Sequence, residues 1–347
     1  MSLREIRDTV SDWVSRDQPW GEAVLIGVKR SAPRPPGARF VVGADGSFAG
    51  TISAGCIEAD LREHLLARLP AGEPGIVNYG ISDAMAAGVG LSCGGEIDVL
   101  LRCHDARDPV WIELLELLAA ETPGALVTGV SSDVLGRQLL IRPDGSYVGS
   151  LGPADLDRDL AGNIDGLLDR DGADLVDTAG RQVFVDRVLP PRRLVIVGAT
   201  PVAVALARMA VLADYRVTVV EPREGLARPK SFPDARLLVD WPESALDALE
   251  LDEWTDVAVL AHDERLDVPA LRLALAAGCR YVGLLGGRRT QRLRREALAE
   301  AGMGEPDTRR IRGPIGLDIG AVTPAEIAVA ILAEILSRRR GGMSTVP

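Results

Sequence analysis

Two thiols sit beside glycines in the first third of this chain, and a stiffened arginine loop precedes them. Cys56 follows Ser53-Ala54-Gly55 and runs into Ile57-Glu58-Ala59-Asp60-Leu61, so it stands where a helix is predicted to begin. At such a place, unpaired backbone N–H groups and the positive end of the helix dipole favour a thiolate and attract anions. Gly55 lets a ligand come close to the backbone, and Glu58 closes the stretch. Cys93 precedes Gly94-Gly95 and the apolar strand Ile97 to Leu101. Paired glycines there expose N–H groups to a bound group. Arg34 and Arg39 bracket Pro35-Pro36-Gly37, whose prolines limit loop freedom so that two guanidinium forks are held ready for phosphate or carboxylate. Each feature also has a plain structural reading: a small thiol packed under a hairpin, a glycine turn, a solvated surface loop.

A second set of residues belongs to the C-terminal half. Gly198-Ala199-Thr200-Pro201-Val202-Ala203 stands where a dinucleotide-binding turn would stand, and Glu221 lies at the right distance to meet a ribose. The turn departs from the fingerprint, because Thr200 crowds the pyrophosphate approach and Pro201 removes a donor. NAD(P) is therefore a doubtful ligand. The turns at His262 and at Gly286-Gly287-Arg288-Arg289 fall on the same predicted sheet edge, where they could hold an anionic group. His262 reads equally as a histidine satisfied in the core. No phosphate-binding GxxxxGK[ST] loop or HExxH is present.

The bulk numbers narrow the class. A length of 347 residues suits two domains of about 150 each. With 47% hydrophobic and 26% charged residues the composition is that of a globular protein. A net charge of −11 argues against a general nucleic-acid binder, which needs a basic surface. No apolar run reaches the length of a membrane span, and the first residues lack a signal pattern. Cys56, Cys93, Cys103 and Cys279 are too few for a disulfide scaffold in a chain this long, so a cytoplasmic setting away from membranes is expected.

These residues need elements to position them. Leu3, Ile6, Val10, Trp13 and Val14 recur at helical spacing. Ala23 to Val28 reads as a strand, Asp45-Gly46 as a hairpin turn, and Ile57 to Leu69 as a helix. The order then repeats: Trp111 to Ala120 is a helix, and Asp144-Gly-Ser-Tyr-Val-Gly-Ser-Leu151 echoes Asp45-Gly-Ser-Phe-Ala-Gly-Thr-Ile52. We read a degenerate internal duplication, with the arginine loop and Cys56 added only to the first copy. From Arg193 onward, short apolar strands alternate with helices, which predicts a doubly wound parallel sheet. The expected layout is a mixed α/β domain over 1–155, a linker over 156–191 rich in Asp and Gly, a Rossmann-like domain over 192–340, and a flexible tail over 341–347. A homodimer is expected if the apolar opening and closing helices need covering.

Taken together, Ser31–Arg39, Gly50–Glu58, Gly90–Gly95, Asp256–Asp263, Tyr281–Thr290, Pro314–Gly320 and Thr323–Ala328 resemble the XdhC/CoxI family of accessory proteins for molybdenum hydroxylases. The resemblance implies an N-terminal XdhC/CoxI domain followed by a Rossmann domain. It also implies a chaperone, rather than an enzyme with turnover, that binds molybdenum cofactor as molybdopterin or its dinucleotide form. Such a chaperone protects the cofactor during sulfuration by a cysteine desulfurase. It then delivers the cofactor to the large subunit of a xanthine, aldehyde or CO dehydrogenase-type enzyme. The family cysteines map onto Cys56 and Cys93, which become the candidate contacts to molybdenum. Arg34, Arg39, Gly55, Glu58, Gly94 and Gly95 would surround them. Gly198, Glu221, His262, Gly286, Arg288 and Arg289 would form a second cofactor-binding edge. Three departures stand out: the family's GAGHV-like turn is Gly198-Ala-Thr-Pro-Val202 here, Ala54 stands where glycine is usual, and Arg30 stands where glycine often precedes Ser31. The competing readings are an NAD(P)-binding oxidoreductase with His262 as acid/base, and a docking scaffold whose ligand site has decayed.

Overall fold

Two five-stranded sheets with the same strand order build the N-terminal half. In the first copy, helix α1 (Ser2–Ser15) is followed by β1 (Trp20–Lys29), β2 (Arg39–Gly43) and β3 (Phe48–Gly50), then α2 (Glu58–Arg68), β4 (Gly75–Tyr79) and β5 (Glu96–His104). The second copy runs α3 (Pro109–Ala120), β6 (Gly124–Gly129), β7 (Gln138–Ile141) and β8 (Tyr147–Gly149). It continues with α4 (Ala154–Gly162), α5 (Ile164–Leu168), β9 (Ala173–Thr178) and β10 (Arg181–Val188). The orders β3-β2-β1-β5-β4 and β8-β7-β6-β10-β9 match position for position, and every pairing is antiparallel. This computed structural model describes residues 2–80 and 95–339.

The duplication extends to single hydrogen bonds. Asp45 Oδ1 accepts the Ser47 N–H at 2.9 Å, and Asp144 Oδ1 accepts the Ser146 N–H at 2.9 Å. Gly50 and Gly149 close the two hairpins at φ 79° and 86°. A Cβ there would lie 2.3 Å from the Arg39 carbonyl oxygen and 2.4 Å from that of Gln138, so neither site admits a side chain. A shared core joins the copies. Trp13 and Trp20 from the first pack with Trp111, Leu114, Leu126 and Leu140 from the second.

The stretch 156–191 is not a linker. It completes the second copy, supplying most of α4 together with α5, β9 and β10. Leu156, Leu160, Ile164 and Leu167 keep helical spacing and are buried, while the intervening Asp and Gly residues dilute the pattern that the sequence presents. The chain instead divides at Pro190-Pro191 into two units.

The second unit holds a six-stranded parallel sheet, β13-β12-β11-β14-β15-β16. Its strands are β11 (Arg193–Val197), β12 (Arg216–Val220), β13 (Arg236–Leu238), β14 (Thr255–Val259), β15 (Tyr281–Leu284) and β16 (Ile311–Arg312). Between and after them come α6 (Pro201–Leu212), α7 (Pro242–Ala248), α8 (Glu264–Ala276), α9 (Arg288–Glu300), α10 (Glu305–Thr308) and α11 (Pro324–Arg339). Leu194 and Ile196 of β11 face one buried cluster and Val195 and Val197 face another, as a strand covered by helices on both sides requires. Strand order reverses between β11 and β14, which places the crevice of a doubly wound sheet at their C-terminal ends.

The opening and closing helices do not carry the open apolar faces that the homodimer expectation used. Ile6, Val10 and Trp13 of α1 are buried in the core they share with α3. In α11, Ala328, Ile331 and Ile335 are buried against α6.

Candidate functional site

The Cys56 turn is organised by a single carboxylate. Glu58, the first residue of α2, folds back over the turn. Its Oε1 accepts the N–H groups of Ile52 at 2.9 Å and Ser53 at 2.8 Å, and its Oε2 accepts that of Gly55 at 2.9 Å. The Thr51 and Ser53 hydroxyls donate to it at 2.6 Å each. The Ser53 Oγ in turn accepts from Cys56 N at 2.9 Å and Ile57 N at 3.0 Å, and Thr51 Oγ1 accepts from Ala54 N at 2.9 Å. Every backbone N–H from Ile52 to Ile57 thus has an internal acceptor. Burial pushes the Glu58 carboxyl up, but the donors from Ser53, Thr51 and Ile52 outweigh it and hold it at about 2.

This corrects the expectation of an anion seat at the start of α2. The donors that would meet a phosphate there are already taken by the chain's own carboxylate. The second copy explains why. Asp157, in the first turn of α4, accepts the Ser150 hydroxyl at 2.6 Å and the Leu151 N–H at 2.9 Å, the counterparts of Thr51 and Ile52. A helix-start acid is scaffold in both copies, and the first copy adds the thiol. Cys56 is half-buried, packed at the edge of the core under β1 and α2, beside an exposed Gly55 with nothing within 4 Å of where its Cβ would be.

The arginine loop divides its residues between two structural tasks. Arg34 pairs with Glu5 of α1 at 2.7 Å, a half-exposed surface bridge. Arg39 is 1% exposed, so it cannot be a ligand contact as the sequence suggested. Its Nε donates to Glu22 at 2.7 Å, while its two terminal nitrogens donate to both oxygens of Asp186, one of them at 2.9 Å. Glu22 also faces His104 Nε2 at 3.1 Å, and His104 Nδ1 lies 3.3 Å from Asp108. Burial would push the Glu22 carboxyl up, yet Arg39, His104 and Arg102 bring it down to about 2. Sequence reading missed this network. Its signal was an acid inside an apolar strand, Glu22 in Trp20–Val28 and Asp186 in Val183–Val188, which must find a partner when buried.

Cys93 and Gly94 lie outside the described residues. Gly95 is described, and a Cβ on it would fall 1.7 Å from the Ser31 carbonyl oxygen. The start of the arginine loop therefore lies directly against the chain that follows Cys93. Among the described residues no group of three or more His, Cys, Asp or Glu side chains is set to hold a metal.

The two departures in this half now have a physical cost. Arg30 at φ 69° and Ala54 at φ 61° both adopt left-handed backbone that suits glycine. Ala54→Gly is expected to stabilise the N-terminal unit by about 1 kcal/mol, read as a higher urea midpoint at unchanged slope.

In the second unit, Gly198, Glu221, His262, Gly286, Arg288 and Arg289 all fall at the C-terminal edge of the parallel sheet. Gly198 has φ 103°, and a Cβ there would lie 2.6 Å from Ala261 Cα, so glycine is required where the turn crosses β14. Glu221 is fully buried, His262 is exposed at φ 56°, and Arg288 and Arg289 are exposed at the start of α9. No helix among the described residues is long and apolar enough to cross a membrane.

Comparison with known proteins agrees with this architecture. Residues 13–80 match the XdhC and CoxI family, and residues 194–335 match the XdhC Rossmann domain. The uncharacterized protein YqeB of Escherichia coli is 32% identical over 60% of this chain, which spans 42% of YqeB's own length. The E. coli molybdenum cofactor insertion chaperone PaoD is 27% identical over 91% of this chain and 82% of its own. A Bacillus halodurans protein described as a xanthine dehydrogenase superposes with a TM-score of 0.70 at 26% identity, over 100% of this chain and 98% of that one. With both of its units matched in order by models of one family, this chain belongs to the XdhC and CoxI family.

Proposed function

We propose that this chain carries molybdenum cofactor as cargo, holds it while its sulfido ligand is installed, and delivers it to a molybdenum hydroxylase. The observation that carries the reading is the Cys56 turn. It presents a half-buried thiol beside an exposed glycine from a frame whose N–H groups are all satisfied. A sulfur donor suits a metal centre that takes sulfur ligands, whereas nothing in that turn is left to grip a hard anion. The similarity to PaoD, a molybdenum cofactor insertion chaperone, supports the same reading. Cys93 is the second sulfur in this proposal, with a cysteine desulfurase as the sulfur source and the cytoplasm as the setting.

The test is metal and pterin analysis of the full chain purified from a host that makes molybdopterin. Wild type is expected to retain both, and Cys56→Ser to lose most of the bound molybdenum while its melting curve stays that of wild type. Equal retention by wild type and a Cys56→Ser/Cys93→Ser double variant would overturn the proposal.

A further inference from the structure

The Rossmann fold of the second unit implies a dinucleotide, and the residues can be tested for fit one by one. An NAD-type site needs an acid at the end of the second strand with lone pairs free for ribose hydroxyls, and a turn whose N–H groups face the pyrophosphate. Glu221 is at that strand end, but it is 0% exposed and both its oxygens are occupied. Oε2 accepts the Ala199 N–H at 2.9 Å and an Arg223 terminal nitrogen at 2.8 Å. Oε1 accepts the Arg223 Nε at 2.6 Å and its backbone N–H at 3.0 Å. A carboxylate with four donors has little left for a ribose.

The turn is equally committed. The Gly198 N–H goes to the Val220 carbonyl at 2.8 Å and that of Ala199 to Glu221. Pro201 has no N–H, and the Thr200 hydroxyl caps α6 by accepting from Ala203 N at 3.3 Å. The Glu221 carboxylate, with smaller contributions from Asp263 before α8 and Asp267 within it, raises the Arg223 guanidinium further above its ordinary range. Asp263 is itself clasped by Arg265 at 2.8 Å. The ends of β12 and β14 thus each carry an acid already paired with an arginine two residues on.

We infer that the C-terminal crevice is closed to NAD(P) by its own Glu221–Arg223 pair and by Thr200. The crevice is a Rossmann scaffold whose dinucleotide seat is filled from within, which argues against the oxidoreductase reading.

The experiment is calorimetry and thermal melting of the full chain with NAD⁺, NADH, NADP⁺ and NADPH at roughly millimolar concentration, where micromolar binding would shift the melt by several degrees. A Thr200→Gly/Arg223→Ala variant is run in parallel. It frees Glu221 from the guanidinium and clears the turn, and glycine is a tolerated helix cap. Wild type is expected to show no heat and no shift, and the variant to bind at least one dinucleotide saturably. Saturable binding by wild type overturns the inference. Absence of binding by a variant whose circular dichroism matches wild type overturns the assignment of closure to these side chains.

Discussion

Arg39→Ala is expected to cost the N-terminal unit about 3–5 kcal/mol, because it strands two carboxylates in the interior. Glu22 is 0% and Asp186 4% exposed, and one guanidinium lies between them. Its planar fork meets Glu22 along one edge and Asp186 along another, which a lysine's point charge cannot do. Arg39→Lys is therefore expected to recover only part of the loss. Arg39→Met combined with Glu22→Gln and Asp186→Asn should recover more than Lys does, since no buried charge is then left alone. Tryptophan emission separates the units poorly in total, but Trp13, Trp20 and Trp111 all report the N-terminal core. Urea titration followed by near-ultraviolet dichroism should show the midpoint fall for Arg39→Ala, with a melting decrease of roughly 8–15 °C. A change below about 1 kcal/mol would mean that water reaches the pair and that its burial does not govern stability.

Glu58→Ala is expected to be the next most damaging change, by about 2–3 kcal/mol, since it removes the common acceptor of four backbone N–H groups and two hydroxyls. The pH dependence has a definite sign. The carboxyl titrates at about 2 in the folded chain against about 4.3 when free. Its contribution is thus fully present above about 4.3 and is lost as pH falls toward 2. The variant should lack that part of the acid limb in a plot of stability against pH. It should also gain what wild type lacks, an empty cradle of N–H groups. Added sulfate should raise its melting midpoint by more than the general stabilisation it gives wild type, while chloride at equal ionic strength should not separate the two proteins. An identical response of the two proteins to sulfate would show that Glu58 does not fill the cradle.

Much of the architecture was legible because it rests on local chemistry. Asp45-Gly46 and Asp144-Gly145 announced matching hairpins, and the alternation from Arg193 announced a sheet with helices on both faces. Two misreadings have a common cause. The 156–191 stretch looked loose because its buried leucines are separated by polar residues, among them the exposed Asp159, Asp165 and Asp169. Arg39 looked exposed because Pro-Pro-Gly precedes it, and nothing local betrays a partner 147 residues away. The helix-start thiol was found by position, but its polarity was misjudged. A glutamate one turn into the motif read as part of a binding sequence, when its reach covers the turn behind it. The dinucleotide turn was legible as altered from Thr200 and Pro201, but the pairing of Glu221 with Arg223 was not.

That long reach from Arg39 to Asp186 has a bearing on how the protein is made. At ribosomal speeds of about 5–20 residues per second, the partner leaves the exit tunnel roughly 7–30 s after the arginine does. Through that interval Arg39 has Glu22 of its own copy but not Asp186, and Trp20 waits for Trp111. The core around Trp20 is therefore finished only after the second copy has been translated.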